Sequence, residues 1–438
     1  MNARALLVGL LLILPAFPAS AQKPTREQKV REDRKKVEAD GFWIYGDLEK
    51  GFAQAKQTGK PMIVILRCIP CEECVKLDDD LVNQDQRVRP LLEKFVRVRI
   101  VSTNGLDLTR FQYDFDQSFA AMFFNADGTI YGRFGTRSHR TSWASDVSIE
   151  GLAKALQGVL EIHSQYPKNK ESLAAKKGAP LEVASPEKFP LLKDRYTATL
   201  NYEGNVVQSC IHCHQIGDAQ KAYYFKQKKP VPEQILFPYP HPKTQGLILD
   251  PKERSTLLEV EKDSAAEKAG FKKSDVILAL NGQPIVSIAD VQWVLHHTLG
   301  AGATIQAEVQ RGQEQRKLEM KLEKGWRERE NLSWRVSTWG LRRKTTGGLF
   351  LVPLTAEERE KMGLKAEDMA LRTTNAPQLA AVAGFAAGDI LVSFDGKSFP
   401  RETDLIAYAI NERKTGDKVT VSIIRNGKKM EITYAIPE

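Results

Sequence analysis

The chain has 438 residues, 42% hydrophobic and 27% charged, with a formal net charge of +9; that excludes one ordinary domain or a disordered chain and suggests about two to four folded, soluble domains. Its 64 Lys and Arg are spread along the chain among 55 Asp and Glu, so no basic block marks a nucleic-acid interface and a solvated basic surface is expected. Beyond the first residues no stretch approaches the ~20 apolar residues of a spanning helix.

Arg4, the apolar run 5–17 and Ala19-Ser20-Ala21 read as a secretory signal, residues 1–21, so an exported protein of the periplasm or cell envelope beginning near Gln22 is expected. Residues 22–40 are dense in charge and are expected to be a charged leader, either a short solvated helix or disordered. From Gly41 the pattern is that of a folded domain. Leu48, Phe52 and Ala55 predict a helix over 47–57 that Gly59 closes, and Met62-Ile63-Val64-Ile65-Leu66 predicts a buried strand. Cys68, Cys71 and Cys74 follow at the expected strand-to-helix junction as two overlapping Cys-x-x-Cys pairs. There a helix N-terminus stabilises a thiolate and a second thiol resolves a mixed disulfide. A structural disulfide or thiolate metal binding stays open, and Glu72 and Glu73 oppose the helix effect.

With the hairpin over 123–131 and the helix over 148–163, residues 41–165 resemble a thioredoxin-like α/β domain. The resemblance implies thiol chemistry at Cys71 and Cys74, with Cys68 and Cys71 as the other pairing. It also implies a proline facing the disulfide, but Gln117 to Met122 contains none, so peroxide reduction, a disulfide relay and metal binding stand beside ordinary exchange on protein substrates.

Residues 166–245 read as a linker carrying Cys210-Ile211-His212-Cys213-His214, the Cys-x-x-Cys-His arrangement that attaches haem c. Cys210 and Cys213 are the expected thioether anchors and His214 the iron ligand. His241 is the nearby second ligand, because no Met lies between Cys213 and Gly246. Zinc at the same residues, or a structural disulfide, is the alternative.

From Gly246 the chain repeats itself. Ala269-Gly270-Phe271, Asp275 and Asn281-Gly282 recur 114 residues later as Ala383-Gly384-Phe385, Asp389 and Asp395-Gly396. Each copy continues into a helix (287–299; 402–411) and a β-ribbon turning at Arg311-Gly312 or Asn426-Gly427. The pattern resembles bacterial PDZ domains, β-barrel modules over 246–325 and 345–438 joined by an aromatic, basic connector, 326–344. The resemblance implies capture of protein C-termini at Gly246, Leu247 and Ile248 and at Gly348, Leu349 and Phe350. A Gly-Asn-Ser-Gly-Gly serine-protease motif does not occur.

The fold class expected is therefore multidomain α/β plus mainly-β, with a short haem-c-type segment between the halves. The order of parts is similar to a family of bacterial thioredoxin-like/PDZ domain-containing (seleno)proteins, with Cys at all three cluster positions here. Two functions follow as expectations. One is an exported thiol-redox protein with covalent haem, docking protein C-termini and a redox partner protein. The other is a non-enzymatic envelope scaffold with a structural disulfide or zinc.

Overall fold

The computed structural model describes residues 24–67, 85–117, 119–135 and 146–437. The cluster Cys68, Cys71 and Cys74 lies outside the described residues.

The charged leader is a helix, α1 (Arg26–Asp40), held by a capping box between Thr25 and Gln28. It is docked rather than solvated all round: Val30 and Val37 are buried, and Asp33 pairs with the buried Arg99. In α2 (Leu48–Thr58), Asp47 accepts from the Lys50 N–H and Gly59 ends the helix at φ 65°, as the sequence predicts.

A five-stranded sheet follows in the order β1-β3-β2-β4-β5. Its strands are β1 (Ile44–Tyr45), β2 (Met62–Arg67), β3 (Val96–Ile100), β4 (Phe119–Phe124) and β5 (Ile130–Phe134). β1, β3 and β2 run parallel, while β4 and β5 are antiparallel. Every residue of β2 and β4 is buried, which is why both read as unbroken apolar runs. The helix α3 (Ile149–Ser164), N-capped by Ser148, covers one face.

The stretch 166–245 is not a linker. It folds into short helices, α4 (Val206–Ser209) and the 14-residue α5 (Cys213–Lys226), and buries Leu173, Phe189, Leu192 and Ile216. Its charge-rich composition hides the reason: Lys176 is fully buried and meets Asp290 of the first repeat copy at 2.9 Å. A cation counted as solvated is part of an interface.

Copy 1 holds β6 (Leu247–Leu249), β7 (Leu257–Val260), β8 (Val276–Leu280), β9 (Gln283–Pro284), α6 (Ile288–His296), β10 (Ala303–Arg311) and β11 (Glu314–Leu322). It splits into a β6-β7 pair and a β11-β10-β8-β9 sheet. The connector forms α7 (Thr338–Thr346). Copy 2 holds β12 (Leu351–Pro353), β13 (Leu371–Thr373), β14 (Ile390–Phe394), α8 (Glu402–Glu412), β15 (Lys418–Arg425) and β16 (Lys428–Ala435), with its strands in one continuous sheet.

The cores divide differently from the sequence copies. One apolar cluster runs from Ile63, Ile65, Phe123 and Tyr131 of the first sheet through α3 into Leu280, Trp293 and Ile305 of copy 1. Gly132 on β5 permits this approach, since a Cβ there would collide with Val286. Copy 2 keeps its own core around Leu371, Leu391, Phe394 and Val421.

Candidate functional site

The Cys-x-x-Cys-His segment is clamped onto the sheet at the ends of β2 and β3. The Ile211 carbonyl accepts from the Thr103 N–H at 3.1 Å and the Thr103 hydroxyl at 2.9 Å, and the Ile211 N–H donates to Asn104 Oδ1 at 2.8 Å. Asn104 Nδ2 also donates to the Ser209 carbonyl at 3.0 Å. Upstream, the Glu27 carboxylate of α1 accepts the first two N–H groups of α4 at 3.0 Å each, so the leader helix braces the turn that delivers Cys210.

Cys210 and Cys213 both carry thiols. Cys210 is buried and its Sγ donates to the Val206 carbonyl at 3.1 Å. Burial pushes this thiol up to about 11, and the Glu27 charge adds to the effect. Cys213 is half-buried, opens α5 and packs against the apolar face of the sheet. The Tyr113 hydroxyl donates to its Sγ at 3.1 Å. Burial first, then the neighbouring Cys213, pushes the Tyr113 phenol well above its ordinary value, so it stays a donor. His212, the N-cap residue, stacks on His214 with ring centroids 5.9 Å apart; burial, reinforced by His214, lowers its imidazole to about 4. His214 is half-exposed, with Nδ1 3.7 Å from Asp218.

Among the described residues, no haem-sized space borders these side chains. The cavity that Cys213 and His212 border, together with Arg67, Leu66, Ile100 and Thr103, measures about 10 Å³, whereas ligand sites span about 300–1,000 Å³. A cavity of about 410 Å³ lies further along α5, against Gly217, Lys221, Tyr223 and Tyr224, and neither thiol nor His214 lines it. His241 is engaged elsewhere. It is buried, its Nδ1 accepts from the Lys243 N–H at 3.2 Å, and its Nε2 faces Asp146 at 3.3 Å. Burial raises the Asp146 carboxyl, but His241 and Lys243 outweigh this and hold it at about 2. Among the described residues no three His, Cys, Asp or Glu side chains converge as a metal site.

The two loops expected to hold carboxylates differ in what their N–H groups already do. In copy 2, Gly347 and Gly348 donate to the Arg343 and Arg342 carbonyls, Phe350 to Asn375 Oδ1, and Leu351 to Glu402 Oε1. Glu402, on the helix α8, also forms a buried ion pair with Arg342 of α7 at 2.7 Å. In copy 1, Gly246 donates to the Lys243 carbonyl, Leu247 is buried, and Ile248 pairs with Glu259 along β7.

Sequence reading missed Tyr113, Thr103 and Asn104, which come from an unremarkable loop and meet the cysteine motif only through the fold. It also missed the buried network in which Arg335 bridges Asp114 at 2.7 Å and Asp116 at 3.2 Å, while Lys221 donates to Ser337 Oγ at 2.7 Å. The connector is therefore an inter-domain packing element, as its Arg and Trp content suggests.

A family model described as thioredoxin-like matches residues 43–126, and a PDZ domain model matches 245–322 and 374–436. Among curated proteins, the chain is similar to probable periplasmic serine endoproteases, DegP-like. One from Ectopseudomonas mendocina is 28% identical over 194 residues, covering 43% of this chain and 40% of the relative. Another from Pseudomonas fluorescens is 28% identical over 182 residues, covering 41% and 37%. The chain thus spans about two fifths of the length of these relatives. The chain therefore carries one thioredoxin-like domain followed by two PDZ domains, the order of domains that its sequence leads one to expect.

Proposed function

We propose that this is an exported thiol-disulfide redox protein whose PDZ domains engage partner polypeptides. The observation that carries the reading is the docking of Ile211 onto Thr103 and Asn104. It sets Cys213 at the sheet end bordered by Arg67, the residue that precedes Cys68 in the chain. In the thioredoxin-like fold that sheet end is where thiol chemistry is expected. The relatives are named as periplasmic proteins, which supports export. The PDZ domains support peptide binding. C-terminal docking at copy 2 requires release of the Phe350 and Leu351 bonds to Asn375 and Glu402.

The test is disulfide exchange by the full-length protein on a disulfide-bonded peptide. The protein is expected to accelerate exchange beyond an equal concentration of a simple thiol, and the double variant Cys71→Ser, Cys213→Ser to return the rate to that background. No acceleration by the unaltered protein overturns the redox reading and favours a non-enzymatic scaffold.

A further inference from the structure

We propose that Cys213 and Cys210 form a dithiol centre for the disulfide of a partner polypeptide, Cys213 attacking and Cys210 resolving; this rests on the redox reading and names its substrate class. The two sulfurs sit in opposite surroundings. Cys213 is half-buried, takes a hydrogen bond from the Tyr113 phenol at 3.1 Å, opens a 14-residue helix and borders a cavity with the buried cation Arg67. The phenol hydrogen bond and the helix N-terminus both favour a negative charge on its sulfur. Cys210 is 4% exposed and gives its hydrogen to the Val206 carbonyl. Shut away from solvent and turned toward Val206, Cys210 does not compete for the first attack. Ile211, fixed by Thr103 and Asn104, keeps the intervening turn in place.

The step balances as ordinary exchange. The Cys213 thiolate attacks one sulfur of the partner disulfide; an S–S bond forms between Cys213 and the partner, the partner's own S–S bond breaks, and the departing thiolate takes a proton. Cys210 then loses its proton, turns from the Val206 carbonyl and attacks Cys213 Sγ. The Cys210–Cys213 disulfide forms and the second partner thiolate leaves to be protonated. Two electrons pass from the pair to the partner disulfide, which is reduced to two thiols.

The test treats the full-length reduced protein with oxidised glutathione and reads the tryptic peptide 196–221, which contains both cysteines, by mass. The unaltered protein is expected to show loss of two hydrogens. Cys210→Ser is expected to hold one glutathione on Cys213, and Cys213→Ser to leave Cys210 unmodified on the same timescale. Tyr113→Phe removes only the hydroxyl and is expected to slow modification of Cys213 at neutral pH about tenfold. Three results overturn the centre: both sulfurs found as haem thioethers, Cys210 reacting as fast as Cys213, or no effect of Tyr113→Phe. If peptide turnover survives Cys213→Ser while no disulfide forms in this peptide, the centre fails and the broader redox reading stands. If the disulfide forms but turnover is absent, the centre stands and the catalytic reading falls.

Discussion

In both PDZ copies a buried aspartate accepts two hydrogen bonds from an arginine 36 residues later: Asp275 from Arg311 and Asp389 from Arg425, with distances of 2.7 Å. Each arginine also donates to the glycine carbonyl of the Ala-Gly-Phe motif, Gly270 or Gly384, at 2.7 Å. The copies diverge on the helix that follows. Asp290 of α6 is buried against Lys176 and also accepts from the Arg133 N–H, whereas its counterpart 114 residues on, Asp404 of α8, pairs with Arg401 near the surface. Copy 1 shares a core with the thioredoxin-like domain, and copy 2 is held by the Arg342–Glu402 pair to the connector. The repeat thus preserves what folds a copy and alters what ties it to the rest.

The largest expected effect falls on that difference. Asp290→Asn leaves the Lys176 charge buried without its counter-ion, a loss of about 3–5 kcal/mol. Asp404→Asn removes a partly exposed pair and is expected to stay within about 1 kcal/mol. Because several domains are present, one unfolding midpoint does not apportion the loss. Hydrogen exchange resolved by peptide does: protection is expected to fall across α6 and β5 in the first variant and to stay unchanged across α8 in the second. Equal losses in both variants contradict the division.

The shared feature should respond equally. Arg311→Ala and Arg425→Ala each strand a buried carboxylate, Asp275 or Asp389; in copy 1 burial raises the Asp275 carboxyl, but Arg311 outweighs this and leaves it below its ordinary value. Each substitution is expected to cost about 1–3 kcal/mol, read as lost exchange protection in β8 or β14. A cost confined to one copy breaks the equivalence that the matched distances suggest.

How legible this was depends on where the information lies. The helix capped by Asp47, the strand from Met62, the α3 start at Ser148 and the 114-residue repeat are local patterns of periodicity and turn chemistry, and the sequence carries them openly. Lys176 was not legible, because a lysine among other charged residues reads as solvated until a distant Asp290 is brought against it. The cysteine motif shows a third situation. Its spacing is a strong local signal for haem, but what the sulfurs do depends on Tyr113, Thr103 and Arg67, which are far away in sequence. His241 lies near the motif in the chain, but its nitrogens face Asp146 and the Lys243 N–H instead.

The smallest effect concerns the residue before each helix. Ser287 accepts from the Ala289 N–H at 3.0 Å, capping α6, and donates to the Arg133 carbonyl of the thioredoxin-like domain at 2.6 Å. Its counterpart in copy 2, Arg401, makes no side-chain cap; it reaches the connector carbonyls of Glu328 at 2.6 Å and Arg329 at 2.8 Å. One position therefore ties each copy to the segment it leans on, by different chemistry. Ser287→Ala removes a cap and a tie and is expected to cost about 1–2 kcal/mol. Arg401→Ser exchanges a tie and the partly exposed Asp404 pair for a cap, so the changes largely offset and the result is expected within about 1 kcal/mol of the parent. If Arg401→Ser costs as much as Ser287→Ala, the tie to the connector outweighs the cap, and copy 2 depends on its neighbour as much as copy 1 does.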